Sequence, residues 1–224
     1  MRIGIVVGMK SEAALLPPGS RVACAGGIPA RAEALARRMA DEGAEALASI
    51  GIAGGLDPSL SPGAVIVAAG VETADAVFET DAAWTGRLLA LLPQARHGLV
   101  AGADTVAASP ADKAALFGRR GALAVDMESG AVAKVAAERR LPFAVIRSVA
   151  DPYDRSLPPS AMAGLDEDGS TRLLAVMAGL LRRPGDLGGL IRVGLDSGKA
   201  LSALRDALKI VGPPLGFQPG QVLR

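Results

Sequence analysis

Two carboxylates stand at the start and the end of one predicted helix-then-strand unit. Glu128 precedes an amphipathic helical pattern that begins at Ser129, and Asp151 follows the apolar, β-branched run Phe143–Val149. Open α/β sheets bind their ligands outside the carboxyl ends of the strands. We therefore expect these two acidic side chains to lie at a ligand site, where separated carboxylates are suited to acid–base chemistry.

The same two residues also have a purely structural interpretation. An acid at a helix N-terminus is a common partner of the helix dipole, and Asp151-Pro152 has the composition of a turn. Taken alone, Glu128 and Asp151 leave both interpretations open. The order of the other motifs along the chain is needed to choose between them.

The elements around these residues alternate between strands and helices. Apolar runs predict the strands, and capped or amphipathic stretches predict the helices. The predicted strands cover Ile3–Val7, Arg21–Ala25, Ala46–Ile50, Ala64–Ala69, Gly98–Ala101 and Phe143–Val149, and the predicted helices cover Ala30–Glu42, Thr80–Leu92, Pro110–Phe117 and a stretch from Ser129. This alternation predicts a three-layer α/β/α fold with a mostly parallel central sheet.

Glycine-rich segments follow three of the predicted strands. Gly8 ends the first strand, Gly26-Gly27 follows the second, and Gly51–Leu56 holds too many glycines for a regular strand or helix. Glycine allows a backbone to approach a ligand closely, and the amides at a helix start favour anions. We therefore expect backbone contacts with a ligand in these three loops.

The last part of the chain is predicted to be a helical extension. A helix is expected over residues 170–181, and Arg182-Arg183-Pro184-Gly185 breaks it. Apolar residues then recur at three- and four-residue intervals from Asp186 to Val211, as in an amphipathic helix. We expect residues 1–182 to form the main domain and residues 183–224 to form an extension packed on it.

Composition limits the classes of partner and compartment. The 224 residues carry a net charge of +1, with one cysteine and one histidine. This charge gives no electrostatic footprint for nucleic acid, and the single histidine and cysteine predict no metal site. No signal peptide and no apolar stretch long enough to span a bilayer is visible. We expect a small-molecule ligand, no cofactor and a cytoplasmic setting, with peripheral membrane contact left open.

Five short motifs occur in the order of one known family. They are Gly8-Met9 with Glu12, Gly26-Gly27-Ile28, Gly51–Leu56, Val125–Glu128 and Arg147–Asp151. Over residues 1–182 the chain resembles the superfamily of purine nucleoside phosphorylases and methylthioadenosine/adenosylhomocysteine nucleosidases. It looks closest to the hopanoid-associated phosphorylase branch, which shares the sequence motifs VDMES and VADP and an RRPG helix break before added helices.

The resemblance implies a role for each acidic residue. Asp151 resembles the acid that protonates N7 of a departing purine, and burial or a neighbouring carboxylate must then raise its pKa. Glu128 resembles the acceptor for the ribose hydroxyls, with Met127 packed on the sugar. Glu12 matches the glutamate that activates water in hydrolytic members, whereas in a phosphorylase it would orient ribose or phosphate.

The resemblance also implies contacts for the phosphate and for the rest of the substrate. Val106 belongs to the segment that places an aromatic residue against adenine in the nucleosidases. The expected phosphate contacts are Gly8, Ser11, Gly27 and Arg31, and the further substrate contacts are Gly54, Gly55 and Val106.

Two positions depart from the family pattern. Ala150 stands where a serine often precedes the catalytic aspartate, and Ile52 stands where many phosphorylases offer a serine hydroxyl to phosphate. Phosphate use is therefore implied by the branch alone. Arg147 is expected to pair with a buried acid, either Asp126 or Glu12.

The leading hypothesis is release of adenine from a 5′-substituted adenosine by phosphorolysis, with phosphate as co-substrate and adenosylhopane as the substrate that the branch implies. One alternative is a hydrolytic nucleosidase that acts on methylthioadenosine, adenosylhomocysteine or a futalosine-type compound. Another is a nucleoside-binding protein without turnover. A lipid 5′ group would add peripheral membrane contact, and we expect a homo-oligomer.

Overall fold

The structure is a computed structural model that describes residues 2–162 and 183–218. Its strands are β1 (Ile3–Val7), β2 (Arg21–Cys24), β3 (Ala46–Gly55), β4 (Val65–Glu72), β5 (Val77–Glu79), β6 (Arg96–Gly102), β7 (Ala124–Asp126) and β8 (Phe143–Asp151). Its helices are α1 (Lys10–Ala13), α2 (Pro29–Asp41), α3 (Ala82–Leu91), α4 (Pro110–Arg120), α5 (Ser129–Arg139), α6 (Pro159–Met162) and α7 (Leu187–Val211). The helix predicted over residues 170–181 lies outside the described residues.

The eight strands of the described residues form one mixed sheet. The strand order is β2-β1-β3-β7-β6-β4-β5, and β8 pairs with both β3 and β4. Because β7 and β6 connect β3 to β4 on the other side, these five strands close into a ring. Five of the eight strand pairings are parallel and three are antiparallel. The predicted α/β fold with a mostly parallel sheet is confirmed.

The prediction that Gly51–Leu56 is a loop is wrong over most of its length. β3 continues to Gly55, paired with β8 as far as Gly54 and with β7 at Gly54 and Gly55. Gly51 is required at its position because a Cβ there would lie 2.7 Å from Oε1 of Glu12. Gly51 therefore allows the strand to run past the buried carboxylate of Glu12. A glycine-rich sequence is typical of a turn and does not by itself indicate such a strand.

Helices pack on both faces of the sheet. One core cluster includes Val132 of α5 together with residues of α2. The cluster on the opposite face includes Trp84 of α3 and Leu204 of α7. The Trp84 indole N–H donates to the carbonyl of Leu215 at 2.5 Å, and its ring centroid lies 4.8 Å from that of Phe217. The second half of α7 and the turn after it are thus part of the core.

Two smaller differences affect the site. Asp151 is the last residue of β8, so the strand itself positions this carboxylate. The three-residue strands β5 and β7 have no counterpart in the predicted elements, because three residues are too few to show a period of two. None of the described helices is long and apolar enough to cross a membrane.

Candidate active site

A cavity of about 250 Å³ opens at the carboxyl ends of β1, β3, β7 and β8. It brings together the three predicted acidic residues, Glu12 from α1, Glu128 from the start of α5 and Asp151 from the end of β8. The other predicted site residues in its lining are Gly8, Gly27, Gly54, Val106 and Met127. Most of the candidate site therefore forms one concave surface.

Three predicted site residues lie outside the lining of this cavity. Ser11 and Arg31 are exposed on α1 and α2, and Gly55 is buried in β3 between β7 and β8. The contact of Ser11 and Arg31 with phosphate stays a prediction. The position of Gly55 favours a packing role within the sheet.

Glu12 is a buried carboxylate that ties two glycine-bearing segments together. Its Oε2 accepts hydrogen bonds of 2.8 Å from the amides of Gly8 and Met9, and its Oε1 accepts one of 2.8 Å from the amide of Ile52. Burial raises the pKa of Glu12, although these amide bonds and the charge of Arg147 oppose the rise. A carboxylate of this kind beside a cavity is suited to take a proton from water.

Glu128 is a buried carboxyl group whose surroundings disfavour ionisation. Burial and the neighbouring Asp126 carboxylate raise the pKa of Glu128 to about 8. Its side chain accepts a hydrogen bond from the backbone amide of Met127, and its own backbone amide donates to Asp126 at 2.9 Å. Gly8 lies directly against it, since a Cβ on Gly8 would come within 2.6 Å of Oε1. Glu128 lines the cavity, where the remaining bonding capacity of its carboxyl oxygens is available to a polar group of a ligand.

A buried ion pair supports this side of the cavity. Arg147 donates from Nε to Oδ2 of Asp126 at 2.7 Å and from Nη2 to the hydroxyl of Ser49 at 2.6 Å. Burial alone would raise the pKa of Asp126, but the Arg147 guanidinium holds that pKa below its ordinary value. Of the two partners predicted for Arg147, Asp126 makes the contact.

Asp151 is paired with a lysine that sequence reasoning missed. Nζ of Lys113, in α4, lies 2.5 Å from Oδ2 of Asp151. Burial raises the pKa of Asp151, and the positive charge of Lys113 opposes the rise. A raised pKa is the direction that a proton donor near neutral pH requires. The sequence gives no signal for Lys113, because a single lysine in an amphipathic helix normally lies at the surface.

The cavity wall is completed by residues outside the recognised motifs. Leu157, in the segment after β8, and Val193 and Ser197, in α7, belong to the lining. Val193 and Ser197 are four residues apart, which places them on one face of the helix. That spacing is visible in the sequence, but only the fold shows that this face meets the cavity.

Comparison with known proteins places this arrangement in a family. The model of the phosphorylase superfamily matches residues 20–183. Among curated protein sequences, none matches the chain.

Three solved structures illustrate the shared fold. S-adenosylhomocysteine nucleosidase from Streptococcus pyogenes has a TM-score of 0.63 and 17% identity, covering 88% of this chain and 96% of that one. Helicobacter pylori 5′-methylthioadenosine/S-adenosylhomocysteine nucleosidase has a TM-score of 0.66 and 17% identity, covering 93% and 98%. The corresponding nucleosidase from Colwellia psychrerythraea has a TM-score of 0.63 and 21% identity, covering 80% and 96%. At these identities the likeness shows the fold.

The family match confirms the superfamily expected from the motifs, and with it the prediction of an enzyme of the nucleoside phosphorylase or nucleosidase type. The matched residues 20–183 include β3, Glu128 and Asp151, which form much of the cavity. Because the match spans well over half of the sequence, the chain belongs to the phosphorylase superfamily.

Proposed function

We propose that the chain cleaves the N-ribosidic bond of a 5′-substituted adenosine and releases adenine. The observation that carries the proposal is one cavity that holds both Asp151, whose pKa burial raises, and the carboxyl group of Glu128, whose pKa burial and Asp126 raise to about 8. The named relatives agree with this chemistry: the S. pyogenes nucleosidase was solved with 5-methylthiotubericidin and the C. psychrerythraea nucleosidase with adenine.

Asp151 supplies the acid in this proposal. Negative charge develops on the base as the bond to the sugar breaks, and a proton delivered to N7 stabilises it. Oδ2 is held by Lys113, which leaves Oδ1 as the oxygen clear of the ion pair. Gly54, on the adjacent strand, places only hydrogen beside this carboxyl group and keeps the approach open.

Glu128 binds the ribose hydroxyls in this proposal. A carboxyl group with a pKa of about 8 can donate a hydrogen bond when protonated and only accepts hydrogen bonds when ionised. A sugar hydroxyl offers both a donor and an acceptor, so it can bond to this side chain in either protonation state. Met127 lies beside Glu128 in the lining and would pack against the sugar.

Water is the nucleophile that the geometry favours. The amides of Gly8, Met9 and Ile52, which could have bound an anion, already donate to the carboxylate of Glu12. Phosphate would meet that negative charge in place of free amides. Ser11 and Arg31, the predicted phosphate side chains, lie outside the cavity lining. We therefore favour hydrolysis over the phosphorolysis that the sequence resemblance implies, and we assign activation of water to Glu12.

A lipid 5′ group is the second candidate for the substrate. Leu157, Val106 and Val193 give the cavity an apolar wall, and α7 contributes part of it. On the opposite side of α7, Leu187, Ile191 and Leu195 recur every fourth residue and are 50–64% exposed. An apolar surface next to an apolar cavity suits a substrate such as adenosylhopane and peripheral contact with a membrane. The homo-oligomer stays a prediction.

The test is an assay of adenine release from 5′-methylthioadenosine with and without phosphate, in which the sugar product is also identified. Hydrolysis predicts free methylthioribose and an equal rate in phosphate-free buffer. Strict dependence on phosphate, with a sugar 1-phosphate as product, would contradict the role of water. Tight nucleoside binding without adenine from any 5′-substituted adenosine would instead support the non-catalytic alternative.

A further inference from the structure

Lys113 is the least expected charged residue of the fold. It lies in α4, whose neighbouring residues Ala111 and Asp112 are exposed, yet its own side chain is fully buried. Burying an ammonium group is costly unless it is paired and hydrogen-bonded. The contacts of Lys113 are therefore the reason that the residue is tolerated there.

All of these contacts go to the end of β8 and the segment that follows it. Besides Oδ2 of Asp151 at 2.5 Å, Nζ of Lys113 contacts the carbonyl oxygens of Pro152 at 2.9 Å and Arg155 at 3.1 Å, and that of Asp151 itself at 3.4 Å. One ammonium group thus fixes both the candidate acid and the backbone just after it. Ala150, the residue before the acid, has no side-chain donor that could share this task.

The same segment also forms part of the cavity wall. The amide of Leu157, which lines the cavity, donates to the carbonyl of Ala108 at 2.8 Å, just before α4 begins. The side chain of Arg155 forms an ion pair with the buried Asp196 of α7. The segment from Asp151 to Leu157 is therefore attached to α4 through Lys113, to the residues just before α4 through Ala108, and to α7 through Asp196. Lys113 is the attachment nearest to the acid.

We propose that Lys113 is a positioning residue that holds the Asp151 carboxyl group and the segment up to Leu157 in the geometry needed for proton transfer to the base. The proposal rests on the proposed cleavage of a 5′-substituted adenosine. Lys113 touches neither base nor sugar in this account and acts through Asp151.

The first experiment is a kinetic double-mutant cycle with Lys113→Met and Asp151→Asn, measured as adenine release from 5′-methylthioadenosine. Lys113→Met should lower kcat by about 10- to 100-fold with a smaller change in KM. In the Asp151→Asn background, the same substitution should change kcat by less than about twofold, because its target is already lost. An equal fractional loss in both backgrounds would overturn the proposal and assign Lys113 a general structural role.

The pH profile gives a second readout with a defined sign. If protonated Asp151 is the active form, activity falls as pH rises through its pKa. Lys113 lowers that pKa against the effect of burial. Removing the lysine should therefore move the basic limb of the kcat profile to higher pH. An unchanged or oppositely shifted limb would contradict the proposal.

Two further variants serve as a substitute and as a control. Lys113→Gln keeps a hydrogen-bond donor but removes the charge, so it replaces the methionine variant if that variant does not fold, with the same expected shift. Lys134→Met, at an exposed lysine of α5, is the matched control and should leave kcat and the pH profile unchanged.

Titration of ¹³C-labelled aspartate in the resting protein then measures the pKa of Asp151 without substrate, with Asp151→Asn identifying the signal. This pKa should rise in Lys113→Gln, and an unchanged value would overturn the proposal even in an active enzyme. A parent protein that releases no adenine would instead defeat the proposed function, while the titration would still test the Lys113 contact.

Discussion

At the scale of single residues, the cavity gives three carboxyl groups three different environments. Glu12 accepts three amide hydrogen bonds, Glu128 faces the Asp126 carboxylate and accepts one from the Met127 amide, and Asp151 is paired with Lys113. Different environments shift the pKa values of chemically identical groups apart. One site can thereby contain an acid, a base and a group that binds hydroxyls. The proposed division of roles follows from these neighbours.

The role of Glu128 can be tested by its preference among sugars. Glu128→Gln keeps the shape of the side chain but removes its ability to form a charge-assisted hydrogen bond. We expect the preference for ribosides over 2′-deoxyribosides, measured as a ratio of kcat/KM values, to shrink by about tenfold or more. Glu138→Gln, at an exposed position of α5, is the control. An unchanged preference in Glu128→Gln would reduce Glu128 to a structural residue at a helix start.

At the scale of elements, the order of the motifs predicted the main residues of the site. The other residues reach the site through contacts between elements that are distant in sequence. Glu12, Glu128 and Asp151 could be placed because each adjoins a recognisable strand or helix boundary. Lys113 could not, because its burial depends on α4 meeting the end of β8. The contribution of Val193 also depends on a long-range contact, between α7 and the cavity. Local periodicity gives the face of a helix but does not identify what that face meets.

The exposed apolar face of α7 carries a prediction about the 5′ group. Replacing Leu187, Ile191 and Leu195 together by glutamine should reduce activity on an adenosine with a long apolar 5′ substituent, and binding to lipid vesicles, by about tenfold. Activity on 5′-methylthioadenosine should stay within about twofold, because these side chains point away from the cavity.

Ile210→Gln is the matched control, since Ile210 is also exposed on α7, 60% accessible, but near its other end. Equal losses on the two substrates in the triple variant would defeat the lipid hypothesis. The proposed nucleoside chemistry would remain.

At the scale of the whole molecule, the site depends on strands that close into a ring. β3 pairs with β8 and β7, and β4 pairs with β8 and β6, so the ends that carry Asp126 and Asp151 are fixed relative to each other. The sequence predicts the strand and helix layers, but the closure requires the short strand β7 and the extension of β3 through its glycines. Neither feature has a clear local pattern, so this part of the fold could not be predicted.

Folding stability should depend on pH through Glu128. Its pKa in the folded protein is raised from 4.5 to about 8 by burial and by Asp126. A raised pKa means that the stabilising contribution is complete below the unfolded value and is lost as pH rises through the folded one. Thermal unfolding should therefore show a smaller fall in Tm between pH 6 and pH 9 for Glu128→Gln than for the parent. A parallel fall in both proteins would contradict the assigned environment, and Glu138→Gln should behave like the parent.

The central claim is that Asp151 protonates the departing base in this cavity. Its most direct test is adenine release by Asp151→Asn, alongside nucleoside affinity measured by calorimetry. We expect kcat to fall by about two to four orders of magnitude, with affinity changed by less than about tenfold, because the amide keeps the shape but has no acidic proton to deliver. Near-normal turnover in this variant would remove Asp151 from the mechanism and contradict the account.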